Sequence, residues 1–213
     1  MSENQRFKFN ISILGEATVG KTCIVCSYLG EEFNESKLST IGVDSVNGSA
    51  VFDGKKCIYK IYDTAGQDRF NSIASSTIKL SDGFILVYSV DKKDTLDKIS
   101  KWIKNIENNV NIDEKIIILV GNKIDAENRE VTADEAKIFA KENNMIYFEA
   151  SAKTGFGIKE IFDYIYKEIY ELNKKSKVEI KDKNNDNYVN NHRGSFHLKK
   201  IGKENDKKRK NCC

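Results

Sequence analysis

At 213 residues, with 39% hydrophobic side chains and a formal net charge of +3, the chain suits one domain of ordinary size with a sizeable core. No apolar run approaches the ~20 residues needed to span a bilayer, and the opening MSENQRFKFN lacks the apolar segment of a secretory signal. Both histidines, His192 and His197, fall late in the sequence, which excludes a Ser-His-Asp triad or any other imidazole base inside the preceding body.

The second residue is Ser2, not glycine, so N-myristoylation is not expected; a cytosolic protein with reduced thiols is. Charge is divided unevenly. Residues 174–213 hold 13 Lys or Arg against 5 Asp or Glu, a net +8, whereas the other 173 residues hold 22 against 27, a net −5. The basic stretch is rich in Asn and poor in large apolar residues, which predicts a domain over 1–173 and a disordered tail over 174–213.

In chain order, Phe7, Phe9, Ile11 and Ile13 alternate with polar residues and end at Leu14, the pattern of a strand. Gly15 to Thr22, GEATVGKT, follows at once and fits the phosphate-loop spacing G-x-x-x-x-G-K-[ST]. Gly15 and Gly20 permit the tight turn that aims consecutive N–H groups at phosphate oxygens. Lys21 supplies a positive charge for the β and γ phosphates, and the Thr22 hydroxyl suits a Mg²⁺ that travels with them. Cys23, Ile24, Val25 and Leu29 continue as a helix, whose N-terminus adds partial positive charge. Cys23 and Cys26 make a C-x-x-C, read as helix residues with apolar neighbours because no second ligand pair accompanies them. Cys57 reads as a core residue in a strand.

Val46 to Phe52 and Lys55 to Tyr62 read as a hairpin around Asp53-Gly54. Gly83 to Val90 is nearly continuous apolar, as a strand buried on both faces should be. Thr95 to Glu107 predicts one helix with Leu96, Ile99, Trp102, Ile103 and Ile106 on a single face. Lys115 to Val120 is a second buried strand, Thr132 with Glu135 a capping box, and Met145 to Glu149 a short strand. The last helix carries Ile158, Ile161, Phe162, Ile165, Tyr166, Ile169 and Leu172 at helical spacing, a core stripe. The alternation predicts an α/β fold: a mostly parallel sheet of six strands with one antiparallel edge strand and helices on both faces. Ligands in such sheets bind beyond the carboxyl ends of the strands.

The remaining motifs fall at such ends. Asp63-Thr64-Ala65-Gly66-Gln67 lies just after a strand: Asp63 can hold Mg²⁺ through water, the Gly66 N–H can reach a γ-phosphate, and Gln67 can orient an attacking water. In Asn122-Lys123-Ile124-Asp125, the Asp125 carboxylate can accept from N1–H and the exocyclic amine of guanine, a donor pair that adenine lacks. The Lys123 stem can cover one face of the base. Ser151-Ala152-Lys153 completes a base pocket, with the Ala152 N–H placed to read guanine O6.

Together GEATVGKT, STIGVD (Ser39 to Asp44), YDTAGQDRF (Tyr62 to Phe70), GNKID (Gly121 to Asp125) and SAK resemble the Ras superfamily of small GTPases, and within it the Rab branch, over roughly residues 7 to 172. The resemblance implies a P-loop NTPase of the Ras-like G-domain type that binds GTP or GDP with Mg²⁺ and hydrolyses GTP slowly unless stimulated. It implies phosphate contacts from Gly15, Ala17, Thr18, Val19, Gly20, Lys21, Thr22, Cys23 and Gly66, metal ligation by Thr22, Thr40 and Asp63, and catalysis through Gln67, Lys21 and Thr40. Phe33 is similar to the aromatic that covers the guanine, beside Asn122, Lys123, Asp125, Ser151, Ala152 and Lys153. Segments 36–46 and 64–80 correspond to two switches that GTP orders and hydrolysis releases.

The chain departs from Rab proteins where Ser45, Tyr62 and the run Thr77-Ile78-Lys79 replace aromatics that effectors read. Cys212-Cys213, after Lys207-Lys208-Arg209-Lys210, resemble the Rab pair that is geranylgeranylated on both thiols, and two lipid chains anchor stably where one does not. The implied partners are an exchange factor, an activating protein, a GDP dissociation inhibitor, a prenylation escort protein and switch-reading effectors. The expected place is the cytoplasmic face of an intracellular membrane, cycling with cytosol, as a monomer and without nucleic acid. A non-hydrolysing module that holds GTP constitutively and a P-loop ATPase or nucleotide kinase are the other readings. The guanine-type signals, and the lack of an arginine-rich lid-like insertion, weigh against the last.

Overall fold

A computed structural model describes residues 7–33, 43–64 and 71–183. Strands β1 (Phe7–Leu14), β2 (Val43–Phe52), β3 (Lys55–Thr64), β4 (Gly83–Ser89), β5 (Ile116–Asn122) and β6 (Ile146–Glu149) form one sheet in the order β2-β3-β1-β4-β5-β6. Only β2 and β3 pair antiparallel; every other neighbouring pair is parallel, in agreement with the mostly parallel, six-stranded expectation. The carboxyl ends of β1, β3, β4, β5 and β6 therefore share one edge, where the loops that follow them meet.

Helices α1 (Lys21–Tyr28), α2 (Asn71–Leu80), α3 (Lys93–Asp97), α4 (Ile99–Asn109), α5 (Ala133–Glu142) and α6 (Ile158–Lys183) cover the sheet. Alternate residues of the central strands point to opposite faces, so the sheet divides the core in two. Phe9, Ile11, Ile13, Ile85, Val87 and Ile118 pack with the α1 and α6 side chains Ile24, Phe162 and Ile165. Leu14, Phe84, Leu86, Tyr88 and Leu119 pack on the other face with Ile78, Trp102, Ile106 and Ala140. All seven residues of β4 are buried, as its continuous apolar run requires.

Three differences from the sequence expectations have local causes. The helix expected over 95–107 starts earlier and is interrupted at Lys98, where Lys101 N bonds the Lys98 carbonyl at 3.0 Å, an i to i+3 spacing that tightens the turn. Residues 71–80 form α2, which the sequence patterns do not announce: Ser and Thr, at four of its ten positions, are residue types of low helix propensity and obscure the helical signal. The folded unit was expected to end near Asn173, but α6 continues to Lys183. That extension contains no Gly or Pro, and Lys174 Nζ bonds Asp53 Oδ2 at 3.0 Å, which ties the helix to the hairpin turn. Residues 184–213 lie outside the described residues.

The Thr132 capping box is formed: Glu135 N donates to Thr132 Oγ1 at 3.2 Å, and Thr132 N donates to Glu135 Oε2 at 2.9 Å. The Thr132 backbone N–H, then its hydroxyl and Lys93, hold the Glu135 carboxyl down to about 2 from 4.5. A depressed carboxylate stabilises the fold above its unfolded value and loses that contribution as pH falls through about 2. No helix among the described residues is long and apolar enough to cross a membrane.

Candidate functional site

The loop after β1 returns against β4 so closely that a Cβ on Gly15 would stand 2.2 Å from the Val87 carbonyl oxygen, with φ at +145°. No residue larger than glycine fits there without moving backbone. Thr18, at the crown of the loop, holds φ +64°, a left-handed conformation that costs a β-branched residue about 1–2 kcal/mol. Lys21 opens α1 and folds back over the loop, its ammonium donating to the carbonyls of Gly15 at 2.9 Å and Glu16 at 2.7 Å.

Only 5% of Lys21 is exposed, and burial lowers its pKa from 10.5 to about 8 against the opposing pull of Asp63 and Glu16. The unfolded chain binds this proton more tightly, so the buried charge costs stability below about pH 8 and the cost fades as pH rises toward 10.5. The fold therefore carries a desolvated cation that an anion would repay.

Thr22 and Asp63 meet across the sheet. Asp63, near the end of β3 and opposite Ile13 of β1, accepts from Thr22 Oγ1 at 2.6 Å on Oδ2. Thr64 Oγ1 donates to the Ile13 carbonyl at 2.7 Å and pins the strand end that carries Asp63. A hydroxyl and a carboxylate in contact are hard oxygen donors. They suit Mg²⁺, which takes one or two protein ligands and completes its shell with water and phosphate oxygens. Among the described residues no cluster of three or more His, Cys, Asp or Glu could hold a metal by itself.

The two base-loop motifs are stitched to the phosphate loop by one side chain. Asn122, 1% exposed at the end of β5, donates from Nδ2 to the Val19 carbonyl at 2.8 Å and accepts from Ala152 N on Oδ1 at 3.1 Å. Three loops far apart in sequence are thereby held at one point. The Ala152 N–H, expected to read guanine O6, here donates to the buried Asn122 amide oxygen. Asp125 Oδ1 accepts from Ser151 Oγ at 2.6 Å. Ser151 Oγ also accepts from Thr154 N at 3.1 Å, which fixes the turn that carries Ala152 and Lys153. Lys123 sits at φ +66° with its ammonium 3.7 Å from Asp91 Oδ2, and Asp91 in turn accepts from Ser89 Oγ. Asp91, beyond the end of β4, was not singled out from the sequence, although its position beyond a strand's carboxyl end was the available signal.

Phe33, 40% exposed, shares a pocket with Cys23, Cys26, Ser27, Glu31, Glu32 and Ala152. Cys23 and Cys26 are both half-buried and line this concavity, and Cys23 also packs against the apolar core, as expected. On the outer face, Ser45 pairs with Tyr62, the Lys60 ammonium lies 4.8 Å from the centre of the Tyr62 ring, and Thr77 is buried. Thr40, Gly66, Gln67, Cys212 and Cys213 lie outside the described residues, as do residues 36–42 and 65–70 of the expected switches.

Comparison with known proteins places this arrangement. The Ras family model matches residues 10–171. The Ras-related protein Rab-18-B of Danio rerio is 36% identical over 169 residues, 79% of this chain and 82% of that protein. Ras-related protein Rab-12 of Homo sapiens is 42% identical over 158 residues, 73% of this chain and 64% of that protein. Ras-related protein SEC4 of Saccharomyces cerevisiae is 38% identical over 161 residues, 76% of this chain and 74% of that protein.

Proposed function

The chain belongs to the Ras family, as a Rab-type small GTPase of vesicle traffic, and from that premise we propose which of its residues run the nucleotide cycle. Lys21 and the N–H groups from Gly15 through Ala17, Thr18, Val19, Gly20 and Thr22 to Cys23 take the phosphates. The Gly66 N–H takes the terminal one. Thr22, Asp63 and Thr40 hold Mg²⁺, which when bound offsets phosphate charge. Asp125 accepts from the guanine donors, while Asn122, Lys123, Ser151, Ala152, Lys153 and Phe33 enclose the base.

One observation carries this reading: the buried Lys21 ammonium, the Thr22–Asp63 pair and the Asn122 stitch all occupy the carboxyl edge of a single sheet. A cation, hard oxygen donors and a base-reading carboxylate are what a guanosine phosphate presents partners for. The chemical step needs little from the protein beyond positioning and charge. Gln67 orients the attacking water, Lys21 counters the charge that builds on the phosphate oxygens, and Thr40 closes over the terminal group.

Single-turnover GTP hydrolysis tests the assignment. Gln67→Leu removes the amide that orients water and should slow the step at least roughly 10-fold while leaving nucleotide affinity near the parent's. Equal rates would remove Gln67 from the mechanism and favour a module that merely holds GTP.

The Cys212–Cys213 pair carries geranylgeranyl groups in this reading, with Lys207, Lys208, Arg209 and Lys210 adding attraction to an anionic cytoplasmic surface. An exchange factor, an activating protein, a GDP dissociation inhibitor, an escort protein for prenylation and effectors are the partners of such a cycle. Replacing both cysteines by serine should shift the protein from the membrane fraction to cytosol. Persistence on membranes would reject the anchor.

A further inference from the structure

Outside the groups assigned above, one set of side chains joins the ends of three strands. Tyr88 on β4 is fully buried, and its hydroxyl lies 3.0 Å from the hydroxyl of Tyr147 on β6. Tyr147 donates to Glu149 Oε1 at 3.0 Å, and Arg129 Nη2 pairs with the same oxygen while its Nε donates to the Val131 carbonyl at 2.6 Å. Tyr147 has a single hydroxyl proton. With that proton on the carboxylate, the bond between the two phenols must be made by Tyr88 donating to Tyr147. Burial, followed by the Tyr88 hydroxyl, pushes the Tyr147 phenol far above its ordinary value, and burial raises Tyr88 as well, so both stay protonated and the direction of the chain does not change.

This chain of bonds crosses β5 at one residue. A Cβ on Gly121 would stand 2.6 Å from the Tyr88 oxygen and 2.9 Å from the Tyr147 oxygen, so both hydroxyls lie against the backbone that leads into Asn122. On the far side, Gly121 O accepts from Ala150 N at 2.9 Å, and Glu149 leads directly into Ala150, Ser151 and Ala152. The hydroxyl of Tyr147 is thus bonded to the end of β6 through Glu149 and lies against Gly121 at the end of β5, the two strand ends from which the base loops depart. Neither base loop contains it, and its hydrogen bonds run to Tyr88 and Glu149.

We propose that Tyr147 is a positioning residue for the guanine base, its hydroxyl bridging Tyr88 and Glu149 across Gly121 so that the 122–125 and 151–153 loops keep the separation that reads the base. The inference rests on the guanine-site assignment made above. Without that hydroxyl, Tyr88 loses its acceptor and Glu149 a donor, while Arg129, a third exposed, still draws Glu149 outward. The end of β6 can then shift against Gly121, and the Ser151–Asp125 bond that aims the carboxylate shifts with it.

The test uses the full chain loaded with Mg²⁺ and either GDP or IDP, whose inosine lacks the exocyclic amine, and measures release into excess unlabelled nucleotide. Tyr147→Phe keeps the ring and should speed GDP release roughly 3- to 10-fold, the loss of one or two modest hydrogen bonds, with IDP release changed less than about twofold. Acceleration of release by a magnesium chelator should be the same in both proteins, because the phosphate end is untouched. Adding Tyr88→Phe to Tyr147→Phe should change GDP release by less than about twofold further, since Tyr88 acts through Tyr147. GDP release in Tyr147→Phe within about twofold of the parent, or equal acceleration for GDP and IDP, would overturn the proposal, the second by showing general loosening. A parent that releases GDP and ADP equally would instead bring down the guanine-site assignment, and the proposal with it.

Discussion

Replacement of Lys21 by methionine is expected to weaken GDP and GTP binding by roughly 10²- to 10³-fold, the cost of deleting one member of a buried, hydrogen-bonded charge pair. Methionine matches the lysine stem in length, so the walls of the phosphate loop stay filled while the charge is lost. Lys21 is 5% exposed, and its ammonium bonds the carbonyl oxygens of Gly15 and Glu16. Its pKa, lowered by burial to about 8, marks it as a cation that the empty fold holds at a cost. The nucleotide-free variant should therefore be no less stable than the parent near neutral pH, although two loop carbonyls lose a donor. Titration of the purified proteins with nucleotide and Mg²⁺, beside thermal melts without nucleotide, measures both. Affinity within about tenfold of the parent would mean that the phosphates do not meet Lys21.

Asp125→Asn should exchange the base preference. Guanine offers two donors, and a carboxylate offers two acceptors; asparagine presents one acceptor and one donor, and the second contact becomes a clash of N–H groups. GDP affinity should fall by roughly 10²-fold or more, since a site built around polar complementarity leaves buried groups unpaired when the pattern is wrong. Xanthine carries a carbonyl where guanine has its amine, so XDP should bind the variant better than GDP does. The loop itself should survive, because Ser151 Oγ, which donates to Asp125 Oδ1 at 2.6 Å, can donate equally to an amide oxygen. A variant that still prefers GDP over XDP would place the base elsewhere.

Much of the fold was legible because its signals are short. A period of two in Phe7 to Ile13, the two-residue Asp53-Gly54 turn and the apolar run of β4 each depend on neighbouring residues, and each strand appears within a few residues of its expected place. The break at Lys98 and the whole of α2 were not legible. The first is a change of hydrogen-bond spacing by one residue, and the second a helix written largely in Ser and Thr, whose preference is set by what they pack against. Candidate site residues were found by motif, but their partners were not. Nothing in the order of residues says that Asn122 spends its amide on Val19 and Ala152, 103 and 30 positions away.

By itself the sequence determined the alternation of strands and helices, the glycine loop ahead of a helix, and the polar motifs beyond strand ends. Backbone dihedrals and side-chain period are decided within a few residues. The tertiary structure alone decided that Lys21 is desolvated, that Thr22 and Asp63 touch, that Asn122 is a stitch, and that Tyr88 and Tyr147 leave room over β5 only for the glycine at 121. Those facts follow from which strands end side by side, and a partner's distance, burial and proton are properties of that meeting and not of either segment.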